Sequence, residues 1–416
     1  SFAKVFILSF STKYTVVFCN FAANFCKVMT IKLISAVAAS NLLLFSSCIR
    51  EEALSPECDI TSVSQEWLNS KGAGLILGTP VIKQATPASI TLFINKKDDR
   101  VKALNPQFTI SAGATLLYKD NNTRVPFDSA AYHDFSEPRT YSVRSADGHF
   151  TKDYVVSFEV PQPLDSCDFE DFAYNNDRHQ YMTLLQRQED GSVNSNIWSS
   201  GNAGYNLTGM AASPTDFPTS FVSGGHKGLA AKLVTRSTGT FGMLTRPPMP
   251  IAAGNLFIGT FNLNKAMLAP LEATRFGLQI VKGEPLKLSG WYKYKAGAEF
   301  TDRNKTVDAS RRDTADIYAV LFEVDPDNFQ SLNGANVLSS ERIVSIARIA
   351  NPGEPSTWTY FEEPFRPMNG KTFDTARLKR NGYAISVVMT SSRQGAYFEG
   401  AVGSTLWVDD IKVTYK

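Results

Sequence analysis

Alternating apolar and polar residues, interrupted by turn-forming residues, run through residues 59–160 of the chain. This period of two is expected when one face of a β-strand is buried. The pair Asp147-Gly148, between two such segments, predicts a hairpin turn. We therefore predict an immunoglobulin-like β-sandwich of about a hundred residues. Its predicted strands are residues 89–94, 107–110, 115–118, 139–144 and 152–158.

The strand pattern continues through residues 164–416, where the loops are longer and rich in Gly, Asn, Ser and Pro. This combination favours a larger jelly-roll β-sandwich. Between the two domains, Pro161-Gln162-Pro163 predicts a stiff linker, because proline restricts its own backbone and that of the preceding residue. The predicted fold class is all-β, and the clearest strands of the second domain are residues 286–295, 317–324, 343–347, 383–390 and 406–415.

The composition is consistent with this organisation and excludes several classes of function. The 416 residues are enough for two or three domains. With 42 basic and 40 acidic residues the net charge is only +2, so the chain lacks the excess of positive charge that is typical of nucleic-acid-binding proteins. The sequence also contains no zinc-protease, C-x-x-C, nucleophile-elbow or phosphate-cradling glycine motif.

Residues 1–47 have the layout of a secretory signal and are excluded from the fold. We expect translation to start at Met29, which would make residues 1–28 an upstream mis-start. After Met29 come a short basic segment, an apolar stretch from Leu33 to Phe45 and the sequence Ser46-Ser47-Cys48. The apolar stretch is too short to span a bilayer comfortably, as is typical of a signal peptide.

The end of this segment resembles a bacterial lipobox, although Phe45 stands where the usual lipobox has leucine. The residues that follow, Cys48-Ile49-Arg50-Glu51-Glu52, resemble the acidic export signal of surface lipoproteins in a phylum of glycan-degrading Gram-negative bacteria. The resemblance implies acylation of Cys48, a tether over residues 48–58 and a lipid anchor at the extracellular face of the outer membrane. An ordinary cleaved signal peptide with an incidental cysteine is the alternative.

The second domain resembles the PCMD family, the "putative carbohydrate metabolism domain" of surface lipoproteins. The resemblance covers most of residues 168–416 and implies a jelly roll similar to carbohydrate-binding modules. It transfers no catalytic residues. The segments that carry it are "IWSSGNAG" from Ile197, "GLAAKLVT" from Gly228, "AAGNLFIGTF" from Ala252, "LSGWYKYKAG" from Leu288 and "YFEGAVGSTLWVDDIKV" from Tyr397.

Carbohydrate-binding jelly rolls often hold a structural calcium ion between an early "FE" and a late "DD" segment. Here those segments supply Glu170, Asp409 and Asp410 as candidate ligands. Strict alternation places Asp409 on the same apolar face as Trp407 and Ile411, where a carboxylate is costly unless it is paired or binds a cation. A hydrogen-bonded aspartate at a sheet edge is the alternative.

Three residues are candidates for contact with sugar. Alternation places Trp291 among lysines on the polar face of its strand, where an indole ring can stack against a pyranose. A loop that covers Trp291 is the alternative. Trp198 and Asn202 lie in a Gly/Ser/Asn-rich segment that we expect to be a binding loop. We expect Trp358 and Trp67 to be core residues.

The remaining polar residues give weaker signals. His226 is expected to be a solvated loop residue, with ligand contact as the alternative. Cys58 and Cys167 either pair across the domain junction or remain free thiols. A glycosidase needs two carboxylates about 5–10 Å apart, and neither Glu323 nor Glu399 lies in a catalytic motif.

We therefore predict a surface-anchored lipoprotein that binds poly- or oligosaccharide and is not an enzyme. The alternatives are a carbohydrate-active hydrolase and a structural or adhesion protein of the cell envelope. Two facing carboxylates in a cleft would favour the hydrolase. An aromatic binding face would favour the binding protein.

Overall fold

The computed structural model describes residues 54–416 apart from 73–74, 85–87, 95–97, 161–163, 176–179, 188–192, 195–196 and 326–328. The predicted signal sequence, Cys48 and the predicted linker lie outside the described residues. The described chain is nearly all β, which confirms the predicted fold class. In this part of the chain, no helix is long and apolar enough to cross a membrane.

The first part of the chain forms a six-stranded sheet and a separate strand pair. The sheet has the order β2-β3-β8-β7-β5-β6, and β1 pairs with β4. One helix, α1 (Gln65–Ser70), follows β1. The strands are β1 (Ile60–Val63), β2 (Ile76–Lys83), β3 (Ala88–Ile94), β4 (Phe108–Ile110), β5 (Thr115–Asp120), β6 (Thr123–Pro126), β7 (Arg139–Arg144) and β8 (Thr151–Glu159).

A single core holds these elements together. Side chains from β1, β3, β7 and β8 meet in it, and Trp67 of α1 is buried among them as predicted. The Trp67 Nε1–H donates to Asn105 Oδ1 at 3.3 Å, so the buried indole keeps a polar partner. The strands β3 and β8 are parallel, whereas the other pairs of this sheet are antiparallel. The immunoglobulin-like assignment itself stays a prediction.

The second part of the chain is a sandwich of two larger sheets. The larger sheet has the order β24-β20-β19-β28-β23-β25-β27, with β14 also paired to β19. Its strands are β14 (Trp198–Ser199), β19 (Asn255–Phe261), β20 (Thr274–Phe276), β23 (Asp316–Glu323), β24 (Leu332–Asn333), β25 (Ile343–Arg348), β27 (Arg366–Pro367) and β28 (Tyr383–Thr390).

The smaller sheet has the order β15-β16-β30-β21-β26, with β9 also paired to β30. Its strands are β9 (Ser166–Cys167), β15 (Thr219–Ser223), β16 (Leu229–Val234), β21 (Pro285–Lys295), β26 (Thr359–Pro364) and β30 (Thr405–Tyr415). Shorter pairs connect the rest: β10 (Phe172–Tyr174), β11 (Met182–Leu184), β12 (Gln186–Arg187), β13 (Val193–Asn194), β17 (Arg236–Ser237), β18 (Ile251–Ala252), β22 (Phe300–Thr301) and β29 (Gly400–Ala401).

The α-helices in the described loops of this sandwich are short: α2 (Asn202–Asn206), α3 (Gly239–Leu244), α4 (Pro270–Ala273) and α5 (Thr375–Leu378). The main core fills the space between the sheets, and β28 contributes Ile385, Val387 and Met389 to it. The alternate residues Ala384 and Val388 are also buried, in a second apolar cluster on the other face of the larger sheet. That sheet is therefore covered on both faces.

The two sulfhydryl groups in the described chain are both free: Cys167 is buried in β9, and Cys58 is half-buried. The sequence left a disulfide between Cys58 and Cys167 or two free thiols as alternatives, and in the structure both thiols are free. Every strand pairing among the described residues joins strands on the same side of residue 161. The predicted domain boundaries and the linker stay a prediction.

Candidate functional site

A β-bulge in β30 decides which side chains face the surface. The pairing of β21 with β30 shifts by one residue between Ser289 and Trp291, and Asp410 takes a left-handed conformation with φ of 50°. Before the bulge Val408 points into the core, and after it Ile411 does so. The expectation that Trp407, Asp409 and Ile411 share one apolar face is therefore wrong, because strict alternation does not hold across an extra residue.

The bulge places Trp407 on the outer face of the smaller sheet, together with aromatic residues of the neighbouring strands. Trp407 lies opposite Lys293, and Trp291 lies opposite Tyr360. The Lys293 Nζ is 4.5 Å from the ring centroid of Trp358 and 5.4 Å from that of Trp407. We call Trp291, Trp358, Tyr360 and Trp407 the aromatic face. Each of these side chains is exposed or half-buried.

Trp358 is not a core residue, which corrects the prediction made from its alternation with Tyr360. Its side chain is half-buried at the surface, and its Nε1–H donates to the Gly224 carbonyl at 3.4 Å. It precedes β26 and turns outward over Lys293. The inward residue of this strand is Phe361.

A loop partly covers Trp291. The His226 ring stacks on the indole with centroids 3.9 Å apart and planes inclined by 10°, and its Nδ1 lies 3.1 Å from Asp410 Oδ2. His226 is therefore a packed residue rather than the solvated one expected. Trp291 lies on the polar face of its strand, as predicted. A loop also covers one side of its ring, which was the alternative considered for this residue. Beside it, Tyr360 is 50% exposed.

The predicted calcium ligands hold this same loop through its backbone. Asp409, which is fully buried, accepts hydrogen bonds from the amides of Lys227 at 3.0 Å and Asp410 at 2.8 Å. Glu170 accepts one from the Leu229 amide at 2.9 Å. Among the described residues, no group of three or more His, Cys, Asp or Glu side chains is arranged to hold a metal ion. Calcium binding stays a prediction to which this arrangement adds no support.

Gly228 is required where the loop passes over Glu170. Its φ is 52°, and a Cβ at this position would lie 2.2 Å from Glu170 Oε1. Only glycine adopts this conformation readily and leaves room for the carboxylate. The loop over Trp291 is therefore fixed by backbone contacts on both sides of His226.

Asp409 makes the stability of this sandwich depend on pH. Burial raises the pKa of its carboxyl to about 6, although the amides of Lys227 and Asp410 oppose the shift. An unfolded aspartate has a pKa of about 4, so the folded state binds an extra proton between these values. We expect the free energy of unfolding to fall by at most about 3 kcal/mol as the pH rises from 4 to 7.

Chemical denaturation across this pH range measures the effect. In Asp409→Asn the contribution of this residue to the decline should disappear, because the amide keeps an acceptor and does not titrate. The exposed residue Asp168, changed to asparagine, is the matched control and should leave the decline in place. An unchanged pH profile in Asp409→Asn would contradict the assignment.

The structure corrects the two predictions for the 198–202 segment. Trp198 is 2% exposed in β14, and its Nε1–H donates to Gln186 Oε1 at 3.0 Å. Asn202 is fully buried, and its side chain both donates to the Thr219 carbonyl and accepts from the Thr219 amide. Both residues anchor a loop to the sandwich, and neither is accessible to a sugar. A Gly/Ser/Asn-rich composition indicated a loop here, but it does not distinguish exposed from buried side chains.

A pocket of about 380 Å³ lies on the outer face of the larger sheet. Its floor contains Phe257, Val388 and Tyr318, which are adjacent in register on β19, β28 and β23. Residues of α2, α3 and the segments 266–274 and 395–398 form the walls. No local pattern along the chain indicates this pocket, because its wall segments are far apart in sequence.

The carboxylate that lines the pocket and the two glutamates considered for catalysis are all held in ion pairs. Asp316 is the only carboxylate among the described lining residues, and both its oxygens accept from Arg348 at 2.9 and 2.6 Å. Elsewhere, Glu323 pairs with Lys371 and Arg377, and Glu399 pairs with Arg311. The lining residues therefore do not supply the two facing carboxylates of a standard glycosidase.

Comparison with known families agrees with the fold. The model described as "Putative carbohydrate metabolism domain" (PCMD) matches residues 168–414, which is more than half of the chain, so the chain belongs to the PCMD family. The model described as "SGBP, N-terminal", a domain of surface glycan-binding proteins, matches residues 77–158. Together the two matches indicate a glycan-related function.

Several solved structures are similar to the chain, including the two that follow. One, described as a "putative glycoside hydrolase" from Bacteroides thetaiotaomicron VPI-5482, is 38% identical with a TM-score of 0.72 and covers 88% of this chain and 99% of its own. The other, with the same description, comes from Bacteroides vulgatus ATCC 8482. It is 40% identical with a TM-score of 0.55 and covers 61% of this chain and 99% of its own. No curated protein matches the chain.

Proposed function

We propose that the protein binds carbohydrate at the cell surface through the aromatic face. The observation that carries the proposal is the clustering of Trp291, Trp358, Tyr360 and Trp407 on one side of the smaller sheet. Aromatic rings bind the apolar C–H faces of sugars, while nearby polar side chains bind the hydroxyl groups. The family matches support a glycan as the partner.

The remaining parts of the proposal concern attachment. The lipobox-like segment supports acylation of Cys48 and an anchor at the extracellular face of the outer membrane. The first domain then acts as a spacer between the anchor and the binding domain. Many copies on one surface compensate for weak binding at each single site.

The lysines of this face indicate a class of glycan. Trp407 lies between Lys232 and Lys293 in register, and Lys295 follows on β21. None of these three lysines has a carboxylate partner among the described residues. An excess of positive charge beside exposed rings favours glycans that carry uronate or other acidic groups.

A panel of immobilised neutral and acidic polysaccharides tests both parts of this proposal. We expect acidic glycans to bind best, and their binding to weaken about three- to tenfold between 50 and 300 mM salt as the charges are screened. Binding to neutral glycans alone would contradict the charge preference. Binding to no glycan would contradict the proposed function.

Hydrolysis is the second candidate, because both similar structures are described as glycoside hydrolases. The same incubations, followed for new reducing ends, distinguish the two activities. We expect bound glycans to be recovered uncut. Steady release of reducing ends by the purified protein would replace binding with catalysis as its function.

A further inference from the structure

The pocket on the larger sheet is separate from the aromatic face and has a different chemistry. Its walls and floor are mainly apolar and include Phe241, Phe257, Phe261 and Phe276. A volume of about 380 Å³ lies within the range of small-molecule sites, which are also mostly apolar with a few polar groups. The phenyl rings favour a flat, apolar ligand that can pack against them.

The polar end of the pocket carries an excess of positive charge. Asp316, which is 3% exposed, is paired with Arg348, and Arg393 Nη2 lies 3.6 Å from its Oδ1. Two guanidinium groups therefore face one carboxylate. Arg348 donates a hydrogen bond to each oxygen of Asp316, so the Asp316 charge is mainly paired with Arg348. The positive charge of Arg393 is therefore only partly neutralised.

Two donors at this end also lack acceptors. The Nε–H of Arg393 is buried and has no hydrogen-bond partner, although its terminal nitrogens donate to the carbonyls of Ile349 and Ala350. The Tyr318 hydroxyl has no partner among the described residues either. Burial raises the pKa of Tyr318, so its hydroxyl remains a neutral donor. An anionic ligand oxygen at this end of the pocket would give the Tyr318 hydroxyl an acceptor and would offset the charge of Arg393.

We propose that this pocket binds a small aromatic carboxylic acid. The ring packs against the phenylalanine side chains, and the carboxylate faces Arg393 and the Tyr318 hydroxyl. The positive charge of Arg393 sets the preference for an anion over a neutral ligand of equal shape. This site stands independently of glycan binding, because it lies on the other sheet.

Calorimetric titration of the full chain with trans-cinnamate tests the proposal. Cinnamamide has the same ring and nearly the same shape without the charge, and acetate has the charge without the ring. We expect cinnamate to bind at least tenfold more tightly than cinnamamide, and acetate to show no binding. Equal affinities for cinnamate and cinnamamide, or no binding of cinnamate, would overturn the proposal.

Variants then locate the bound molecule. Tyr318→Phe removes one hydroxyl that has no internal partner, so the fold should be unaffected while cinnamate binds about three- to tenfold more weakly. Arg393→Met should abolish the preference for cinnamate over cinnamamide. Tyr132→Phe, which removes an exposed hydroxyl in the first domain, is the matched control and should leave cinnamate binding unchanged. If Tyr318→Phe binds cinnamate as tightly as the unaltered protein, the ligand does not occupy this pocket.

Discussion

We expect Asp313→Ala to lower the free energy of unfolding by about 3–5 kcal/mol. Asp313 is 4% exposed, and its Oδ2 accepts hydrogen bonds from Ser392 Oγ at 2.5 Å, Ser404 Oγ at 2.7 Å and the Ala401 amide at 2.7 Å. Alanine would leave these buried donors without an acceptor, and each such loss costs about 1–3 kcal/mol. The effect is large because one carboxylate joins three separate segments of the second sandwich.

Urea denaturation at neutral pH measures this change. Asp313→Asn keeps one side-chain oxygen and should show an intermediate loss. Asp308→Ala is the matched control, because Asp308 is a half-buried loop carboxylate bonded to its neighbour Ser310. It should cost less than about 1 kcal/mol. A loss below 1 kcal/mol in Asp313→Ala would show that water replaces the carboxylate and that the network is not structural.

The second large effect concerns glycan binding. We expect Trp407→Ala to weaken binding of the best acidic glycan at least tenfold, which corresponds to about 1.4 kcal/mol. Trp407 is central to the aromatic face, because Lys232 flanks it on one strand and Lys293 on the other. Its removal takes away a stacking surface and leaves the two lysines in place. We expect Trp291→Ala to have a smaller effect, since His226 already covers one face of that ring.

The control for this experiment is an exposed aromatic residue elsewhere. Tyr132 is 52% exposed in the first domain, and Tyr132→Ala should bind glycan normally. Thermal unfolding of each variant verifies that the fold is intact. If Trp407→Ala and Trp291→Ala both bind as tightly as the unaltered protein, the aromatic face is not the binding surface, whatever the panel of glycans shows.

The predicted strands agree with the structure where alternation is unbroken. The predicted strands 139–144 and 383–390 coincide with β7 and β28, and 343–347 differs from β25 by one residue. These segments are rich in β-branched and aromatic residues and end at turn formers, so local sequence is enough to define them. The site was predicted less well: of the three candidate sugar-contacting residues, only Trp291 lies on an accessible face.

Local patterns along the chain are enough to predict the all-β class and the membership of the second domain in its family. Which side chains are accessible depends instead on how distant segments pack. The bulge at Asp410 turned Trp407 outward, and contacts from distant segments buried Trp198 and Asn202. Alternation shows which side chains of one strand share a face, but it does not show whether that face is buried or accessible. A register shift and the packing of remote loops depend on contacts between segments that are far apart in sequence.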